Sequence, residues 1–348
     1  MITPKLPSQI NNIISYKLAE HLGLYTPKNE PISLYVNNIY QGLYYYIEQI
    51  DESFLRNNNL MPGDIYSGDN IGLNNVKLFY PNFSFSLFET PSYWEKMSYN
   101  NHYQRTHDYS LKKLISIINN PKIDDESTLS SLIDIEMFAR FSVFLSLTGS
   151  LHYGDTHNWR LYYYPWRQKF YPIVWDPVGW HPSWKVTSDI SSYQNIVTSK
   201  LLELLSSNNQ FNAYKYTILH NFFSSNQDEK FLKEARKIIN ATIDELNIDH
   251  SISSRHELNI DHSISSRLLD NQSKKAAVNR ASLYIDRVFS DAEKSLKQNE
   301  DIKYYFDKSS IFFQISDNSY IKKLVIDLNK SIDRFPKFYY IYKAKVYN

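Results

Sequence analysis

Glycine and proline are distributed very unevenly along this chain of 348 residues. All 8 glycines lie at or before Gly179, and neither residue type occurs between Pro182 and Pro336. Because glycine and proline mark turns and interrupt helices and strands, the long stretch without them is predicted to be mostly helical. The turns and strands are correspondingly predicted in the first half of the chain.

The composition excludes several classes of protein. Hydrophobic residues make up 42% of the chain and charged residues 22%, which is typical of a folded protein. A net charge of +1 argues against binding of nucleic acid through bulk positive charge, so no nucleic-acid partner is expected. The absence of cysteine excludes disulfides, thiol catalysis and cysteine metal sites. No apolar run reaches about 18 residues, so no membrane span is predicted, and residues 1–9 lack a signal-peptide pattern.

Hydrophobic periodicity and turn residues predict a mixed α/β, or α+β, organisation. Predicted helices occupy residues 9–23, 53–57, 109–119, 129–147, 188–206, 210–223, 227–246 and 267–298. Predicted strands form two hairpins, 31–36 with 40–50 and 159–164 with 169–175, and a short strand covers 65–66. Residues 67–106 look irregular. The chain is divided into a mixed N-terminal part (1–108), a mainly helical C-terminal lobe (109–308) and a final segment (309–348) that alternates polar and apolar residues and is predicted to contain strands.

One internal repeat is present. Residues 245–255 recur without change as residues 257–267, displaced by 12 positions. A single identical copy indicates an in-frame duplication, since a solenoid needs several repeats to bury a core. The insertion is therefore expected at an exposed loop or helix end, with His250 and His262 as surface residues and not a metal-binding pair.

The densest polar cluster beside the predicted core covers residues 152–159 and contains Asp155 and Asn158. It follows an apolar helix and precedes a strand, and loops held between rigid elements often carry functional groups. Asp176 comes at the end of the next strand, so a hairpin would return it to the loop. Two carboxylates and an amide that converge in this way suit a hard cation such as Mg²⁺.

Three interpretations of this cluster are open. The first is Mg²⁺-dependent nucleotide chemistry, with Asp155 as a base or positioning residue and with Asn158 and Asp176 as metal ligands. The second is a zinc site, and a zinc hydrolase, formed by His152, Asp155 and His157. The third is structural, with polar side chains that cap turns. No P-loop or other phosphate-binding glycine motif is present.

Glu48 is a further candidate because it lies in the apolar strand predicted at residues 40–50. A charge there is not expected to be buried without a partner, so it either reaches solvent or pairs with a cation. The pattern of the strand slightly favours solvent.

Several segments, taken in order, resemble the CotH kinase family, which is named after spore coat protein H. Residues 16–24 resemble its helix that ends in a Leu-Gly turn, and residues 34–51 resemble its hairpin and the following Glu-Gln pair. Residues 63–66 resemble its Gly-x-Leu-Tyr segment. The two signature segments correspond to residues 155–162, which contain Asp-x-His-Asn-Trp, and to residues 174–176, Val-Trp-Asp.

The resemblance implies an atypical, two-lobed, protein-kinase-like fold and transfer of phosphate from ATP to protein Ser/Thr with Mg²⁺ or Mn²⁺. It implies Asp155 as the catalytic carboxylate, Asn158 and Asp176 at the metal, and Glu48 and His157 in cofactor binding. ATP and an unidentified protein substrate are the expected partners.

The chain also departs from the family pattern. Ser15 replaces a common Arg, Val178 replaces a common acidic residue, and only Lys5 precedes the first helix where a basic, glycine-containing segment is usual. A fragment, a split protein or an inactive homologue is therefore an expectation beside the active kinase. In the inactive case the alternative function is that of a pseudokinase that binds or assembles coat or surface proteins.

Overall fold

The structure is a computed structural model that describes residues 2–3, 7–69, 86–98, 108–120, 125–180, 196–253, 271–298, 303–307 and 310–314. The chain divides into two compact units, Met1–Ser295 and Leu296–Asn348. The mixed α/β class is confirmed. The two-lobed, kinase-like arrangement and the predicted boundaries at residues 108 and 308 stay predictions.

The helices and strands follow one another along the described chain. The helices are α1 (Pro7–His21), α2 (Glu52–Asn57), α3 (Tyr109–Asn119), α4 (Asp125–Leu132), α5 (Ile135–Thr148), α6 (Lys200–Ser206), α7 (Asn209–Ser224), α8 (Gln227–Ser253) and α9 (Asn271–Gln298). The strands are β1 (Ile2–Thr3), β2 (Asn29–Val36), β3 (Ile39–Ile47), β4 (Asp64–Gly68), β5 (Trp94–Ser98), β6 (Trp159–Tyr164), β7 (Lys169–Pro172), β8 (Lys303–Asp307) and β9 (Ser310–Gln314). A short 3₁₀ turn, Pro91–Tyr93, precedes β5.

Helix α1 ends in the way that its sequence predicts. Gly23 adopts a left-handed conformation with φ of 72°. Its N–H donates to the Glu20 carbonyl at 2.9 Å, and the Leu24 N–H donates to the Ala19 carbonyl at 2.9 Å. This pair of bonds is a Schellman motif, which satisfies carbonyl groups at a helix end.

The first sheet has the order β1-β3-β2 and is antiparallel throughout. Asn37 and Asn38 join β2 to β3 with φ values of 51° and 63°. Positive φ at both central residues is the requirement of a type I′ turn, and asparagine tolerates it. The predicted hairpin is therefore confirmed.

The second sheet has the order β5-β4-β6-β7 and is also antiparallel. It confirms the second predicted hairpin. Strand β7 ends at Pro172, before the end predicted at residue 175. The prediction that residues 67–106 are irregular is wrong for Trp94–Ser98, which forms β5. Pairing with β4 makes this segment a strand, and that pairing is not visible in its local pattern. The sheet combines strands from both sides of residue 108.

The predicted helix at 129–147 is in fact two helices, α4 and α5. The chain breaks at Ile133 and Asp134, where the Asp134 N–H donates to the Phe170 carbonyl at 3.0 Å. The Asp134 side chain then accepts from the Met137 N–H at 3.0 Å and caps α5. An N-cap and a backbone bond to a neighbouring strand together stop the first helix and start the second.

The helix predicted at residues 188–206 is shorter than expected where it is described. Helix α6 begins at Lys200, capped by the Ser199 side chain, and residues 196–199 are not helical. Residues 188–195 lie outside the described part. The helices predicted at 210–223 and 227–246 are confirmed as α7 and α8, and 267–298 is confirmed from Asn271 onwards.

The core of the first unit lies between α1, α5 and the second sheet, and it is rich in aromatic side chains. Phe141 and Trp159 are fully buried, with ring centroids 5.6 Å apart. On the side of the outer helices, Trp180 stacks on Phe231 with centroids 6.1 Å apart. Helix α7 packs on α5 and helix α8 packs on α1, so the helix that precedes the loop before β6 is packed against its neighbours.

In the second unit the described strands β8 and β9 form an antiparallel hairpin. The strand expected near residue 311 is confirmed, and residues 315–348 lie outside the described part. The first copy of the repeat begins within the last part of α8, which ends at Ser253. The second copy lies outside the described residues. Within the described residues, no helix combines the length and hydropathy needed to cross a bilayer.

Candidate functional site

The candidate site lies where three segments meet: helix α1, the loop that follows α5, and residues 175–180, which we call the Asp176 segment. The loop carries His152 and Asn158, and β6 and β7 connect it to the Asp176 segment. The hairpin therefore returns Asp176 to the loop, as the sequence predicted. The contribution of α1 was not predicted.

The backbone of this region is strained. Asp176, Val178 and Trp180 have φ values of 43°, 27° and 62°, and Asn158 has a φ of 67°. Positive φ is uncommon for residues other than glycine, and for a β-branched residue such as Val178 it is an outlier. Such conformations persist only where the surroundings hold them, and they cluster at functional sites.

Hydrogen bonds from neighbouring elements hold the Asp176 segment. The Asp176 N–H donates to the Tyr16 hydroxyl at 3.0 Å, and the Val178 N–H donates to Asn12 Oδ1 at 2.7 Å. The Ser150 hydroxyl donates to the Pro177 carbonyl. The Trp180 N–H donates to the Thr148 carbonyl at 2.8 Å.

Gly179 allows this close approach to α5. A Cβ atom at this position would lie 2.7 Å from Thr148 Cβ and 3.0 Å from both the Thr148 carbonyl oxygen and Ser15 Oγ. Only a residue without a side chain fits between the end of α5 and helix α1 here.

His152 connects the two predicted metal ligands. Its Nδ1 lies 2.8 Å from the Asp176 carbonyl oxygen, 2.8 Å from Asn158 Nδ2 and 3.5 Å from Asp176 Oδ2. With a proton, Nδ1 donates to the carbonyl; without one, it accepts from the Asn158 amide. Each tautomer therefore bonds through Nδ1 to only one of the two residues, and both residues lie against the His152 ring.

The oxygen atoms of this pair suit a hard cation. Asn158 is buried and also donates through Nδ2 to the His152 carbonyl at 3.2 Å. Its Oδ1 forms no hydrogen bond within the described residues. Asp176 Oδ1 accepts from Asn12 Nδ2 at 2.8 Å, whereas among the described residues Oδ2 has only the long contact with His152. One amide oxygen and one carboxylate oxygen are thus available, which is the donor type that Mg²⁺ and Mn²⁺ use.

Asp155 lies elsewhere in the loop. Its Oδ1 accepts from the Lys200 N–H at 2.9 Å, at the start of α6, and its carbonyl accepts from the Leu87 N–H at 2.6 Å. Within the described residues its carboxylate does not contact Asn158 or Asp176. The structure therefore brings two of the three predicted polar residues together, and the third lies elsewhere in the same loop.

His157 borders the site through the ring of His152. The two ring centroids lie 5.1 Å apart in an edge-to-face arrangement, and His157 Nδ1 lies 2.9 Å from the Thr156 hydroxyl. Burial lowers the pKa of His157 below its ordinary value, and the neighbouring His152 lowers the pKa further. The imidazole is therefore neutral near neutral pH.

Glu48 is buried, which makes the slight preference for solvent wrong. It is 6% exposed, accepts from the Lys28 N–H at 3.0 Å and accepts from the Asn57 side chain. Within the described part of the chain it forms no ion pair. The carboxylate therefore ties the start of β2 to α2 through neutral donors, and its role in cofactor binding stays a prediction.

Arg160 is a buried cation beside the site. It is 6% exposed and bonds to Asp69 Oδ2 at 3.1 Å, and its guanidinium lies 5.4 Å from the ring centre of Trp175. An ion pair and a cation–π contact together offset the cost of burying this charge. Arg160 thereby fixes Trp175, the residue immediately before Asp176.

A zinc site is not supported. Among the described residues, no group of three or more His, Asp and Glu side chains is arranged to hold a metal ion. His152 and His157 are neighbours, but Asp155 caps α6, so the three predicted zinc ligands are not brought together as a set.

Sequence reasoning missed Asn12 and Tyr16. Both lie on α1, and both are almost completely buried. A buried asparagine in a helix requires hydrogen-bond partners, and its place among Ile10, Ile13 and Ile14 was the available signal. Its partner, 164 residues away, could not be identified from that signal.

Comparison with known proteins shows which family the chain resembles. The family model described as CotH kinase protein matches residues 6–273, which is more than half of the chain and includes every site residue named above. The inner spore coat protein H of Bacillus subtilis (strain 168) is 26% identical over 178 residues, covering 49% of this chain and 46% of that protein. The chain therefore matches about half the length of this curated relative. The chain belongs to the CotH kinase protein family.

Proposed function

We propose that this chain transfers the γ-phosphoryl group of ATP to a Ser or Thr hydroxyl of a protein, with Mg²⁺ or Mn²⁺ held by Asn158 and Asp176. The observation that carries the proposal is the pair of available oxygens, Asn158 Oδ1 and Asp176 Oδ2, on two residues that both contact His152 Nδ1. Family membership supports the same reaction class. The curated relative is, by its name, a protein of the inner spore coat.

The residues present fit a divalent cation of the magnesium type. Mg²⁺ in phosphoryl-transfer sites is usually bound by one or two protein oxygens, and water and phosphate oxygens complete its octahedron. When bound, the ion neutralises charge on the phosphates. Hydrogen bonds from Asn12 to Asp176 and from Asn158 to the His152 carbonyl hold the two side chains before any ligand arrives, so little ordering is required on binding.

Asp155 is the proposed base. One of its carboxylate oxygens caps α6, which fixes the side chain, and the other oxygen is not used by that bond. That oxygen orients the acceptor hydroxyl and takes its proton as the new O–P bond forms and the bond to ADP breaks. His157, neutral because its pKa is lowered, is proposed to donate a hydrogen bond to the nucleotide without adding charge.

The test is metal-dependent ATP binding by Asp176→Asn. This substitution keeps the size of the side chain and removes one negative charge from the proposed ligand pair. We expect calorimetry with ATP and MnCl₂ to show binding by the parent and a loss of at least about tenfold in affinity by the variant. Asp286→Asn is the matched control, because Asp286 is exposed to a similar degree (43% against 41%) but pairs with Arg236 on the outer helices.

Transfer is measured with labelled ATP and casein as a general acceptor. We expect Asp155→Asn to lower turnover much more than ATP affinity, since Asp155 acts on the hydroxyl. A parent that binds ATP with Mn²⁺ but phosphorylates neither itself nor casein would favour the pseudokinase alternative. A parent that binds no ATP with either metal would refute the proposal.

A further inference from the structure

The polar face of α1 contacts the Asp176 segment at consecutive points. Asn12 and Tyr16 are four positions apart, so both side chains project from the same face of the helix. Asn12 bonds to the side chain of Asp176 and to the N–H of Val178, while Tyr16 bonds to the N–H of Asp176. Helix α1 therefore touches both the carboxylate and the backbone that carries it.

Asn12 determines which oxygen of Asp176 is available. Its Nδ2 donates to Oδ1 at 2.8 Å, which occupies that oxygen and leaves Oδ2 on the side of His152. The other end of the same amide accepts from Val178, where the backbone φ is 27°. The buried Asn12 side chain thus fixes the rotamer of the Asp176 carboxylate. It also stabilises the strained backbone at Val178, which helps to orient that carboxylate.

Tyr16 acts on the peptide bond before the carboxylate. Its hydroxyl accepts from the Asp176 N–H at 3.0 Å, while its ring is buried in the core. A phenol hydroxyl is neutral at neutral pH, so this acceptor adds no negative charge beside Asp176.

We propose that Asn12 and Tyr16 are positioning residues, which hold Asp176 Oδ2 in the orientation that binds the divalent cation. This inference rests on the proposed function, because it assigns a task to α1 in the same metal site. Hydrogen-bonded partners behind a metal ligand typically contribute tenfold to a hundredfold to metal affinity. Displacement of α1 relative to the Asp176 segment would accordingly weaken metal binding.

The experiment compares Asn12→Leu with Asn11→Leu. Leucine resembles asparagine in shape but removes both hydrogen bonds. Asn11 is the matched control, since it is also buried on α1, at 7% exposure, but none of the described bonds to the Asp176 segment comes from it. Affinity for Mn²⁺ is measured in the presence of ATP, at a temperature well below the melting point of each variant, and affinity for ATP alone is measured beside it.

We expect Asn12→Leu to weaken Mn²⁺ binding by at least about tenfold, with Asn11→Leu within about twofold of the parent and affinity for ATP alone unchanged. A purely structural role would lower the melting temperature without this selective effect on the metal. Equal Mn²⁺ affinity of parent and folded Asn12→Leu would overturn the inference and leave the proposed function intact. A parent that binds no Mn²⁺ with ATP would overturn both.

A second variant covers the case in which Asn12→Leu does not fold. Tyr16→Phe keeps the buried ring and removes only the acceptor for the Asp176 N–H. We expect the hydrogen bond between the Asp176 N–H and Tyr16 to be stronger when the metal is bound. Its loss should therefore weaken Mn²⁺ binding by about fivefold. An unchanged Mn²⁺ affinity in Tyr16→Phe would then decide against the inference.

Discussion

Lys215 is a buried amine whose removal should stabilise the protein. It lies on α7 with 6% exposure, on the face that also buries Phe211, Ile218 and Phe222. No described residue forms an ion pair or hydrogen bond with it. Burial lowers the pKa of Lys215 from 10.5 to about 7. Near neutral pH, folding therefore requires the amine either to lose its proton or to remain charged in the core, and both cost free energy.

The effect on stability has a definite sign and a definite pH range. Between about pH 7 and pH 10.5 the unfolded chain holds the proton on Lys215 and the folded chain does not. The unfolded state therefore binds more protons, and the free energy of unfolding rises with pH by about 1.4 kcal/mol per unit from this group. From pH 7 to pH 9 the gain is about 2 to 3 kcal/mol.

Lys215→Met keeps the unbranched stem and removes the amine. We expect it to be more stable than the parent at pH 7 by about 3 to 5 kcal/mol, because the cost of neutralising the lysine disappears. The advantage should shrink by about 2 to 3 kcal/mol at pH 9. Urea unfolding followed by tryptophan fluorescence at both pH values measures the two differences.

Lys237→Met is the control, since Lys237 is exposed on α8. Its stability relative to the parent should not change between pH 7 and pH 9. If the curves of parent and Lys215→Met against pH run parallel, the amine is not buried as a neutral group and the reasoning is refuted.

Three further changes follow from the fold. Gly179→Ala should destabilise the chain by about 1 to 3 kcal/mol, because the new Cβ would lie 2.7 Å from Thr148 Cβ; a thermal melt indistinguishable from that of the parent would contradict the close packing. Asp134→Ala removes the cap on the Met137 N–H and should cost about 1 kcal/mol in urea unfolding, whereas Asp134→Asn, which can still cap, should cost less. Deletion of residues 256–267 removes one repeat copy and should change stability by less than about 0.5 kcal/mol; a large fall in melting temperature would show that this copy is packed in the core.

Features whose cause is local were predictable from the sequence. Gly23 ends α1 and Asn37-Asn38 turns the first hairpin, because each conformation is set by the residue that adopts it and by its immediate neighbours. The lack of glycine and proline after Pro182 is matched by α6, α7, α8 and α9 within the described residues. Hydrophobic spacing located most helices for the same reason.

Features that depend on a distant partner were not predictable in this way. Residues 94–98 have no distinctive strand pattern, and they form β5 because β4 offers an edge for pairing. The break at Asp134 needs the Phe170 carbonyl from β7. Glu48 follows an apolar strand, but its burial depends on donors from Lys28 and Asn57.

The candidate site shows the same division. Asp155, Asn158 and Asp176 were identified as polar residues at the ends of core elements, and a hairpin was enough to predict that Asp176 returns to the loop. Tertiary structure decided that Asn158 and Asp176 converge on His152 while Asp155 turns to the start of α6. It also brought Asn12 of α1 against Asp176, since hydrogen bonding between residues so far apart in the chain depends on packing and not on local pattern.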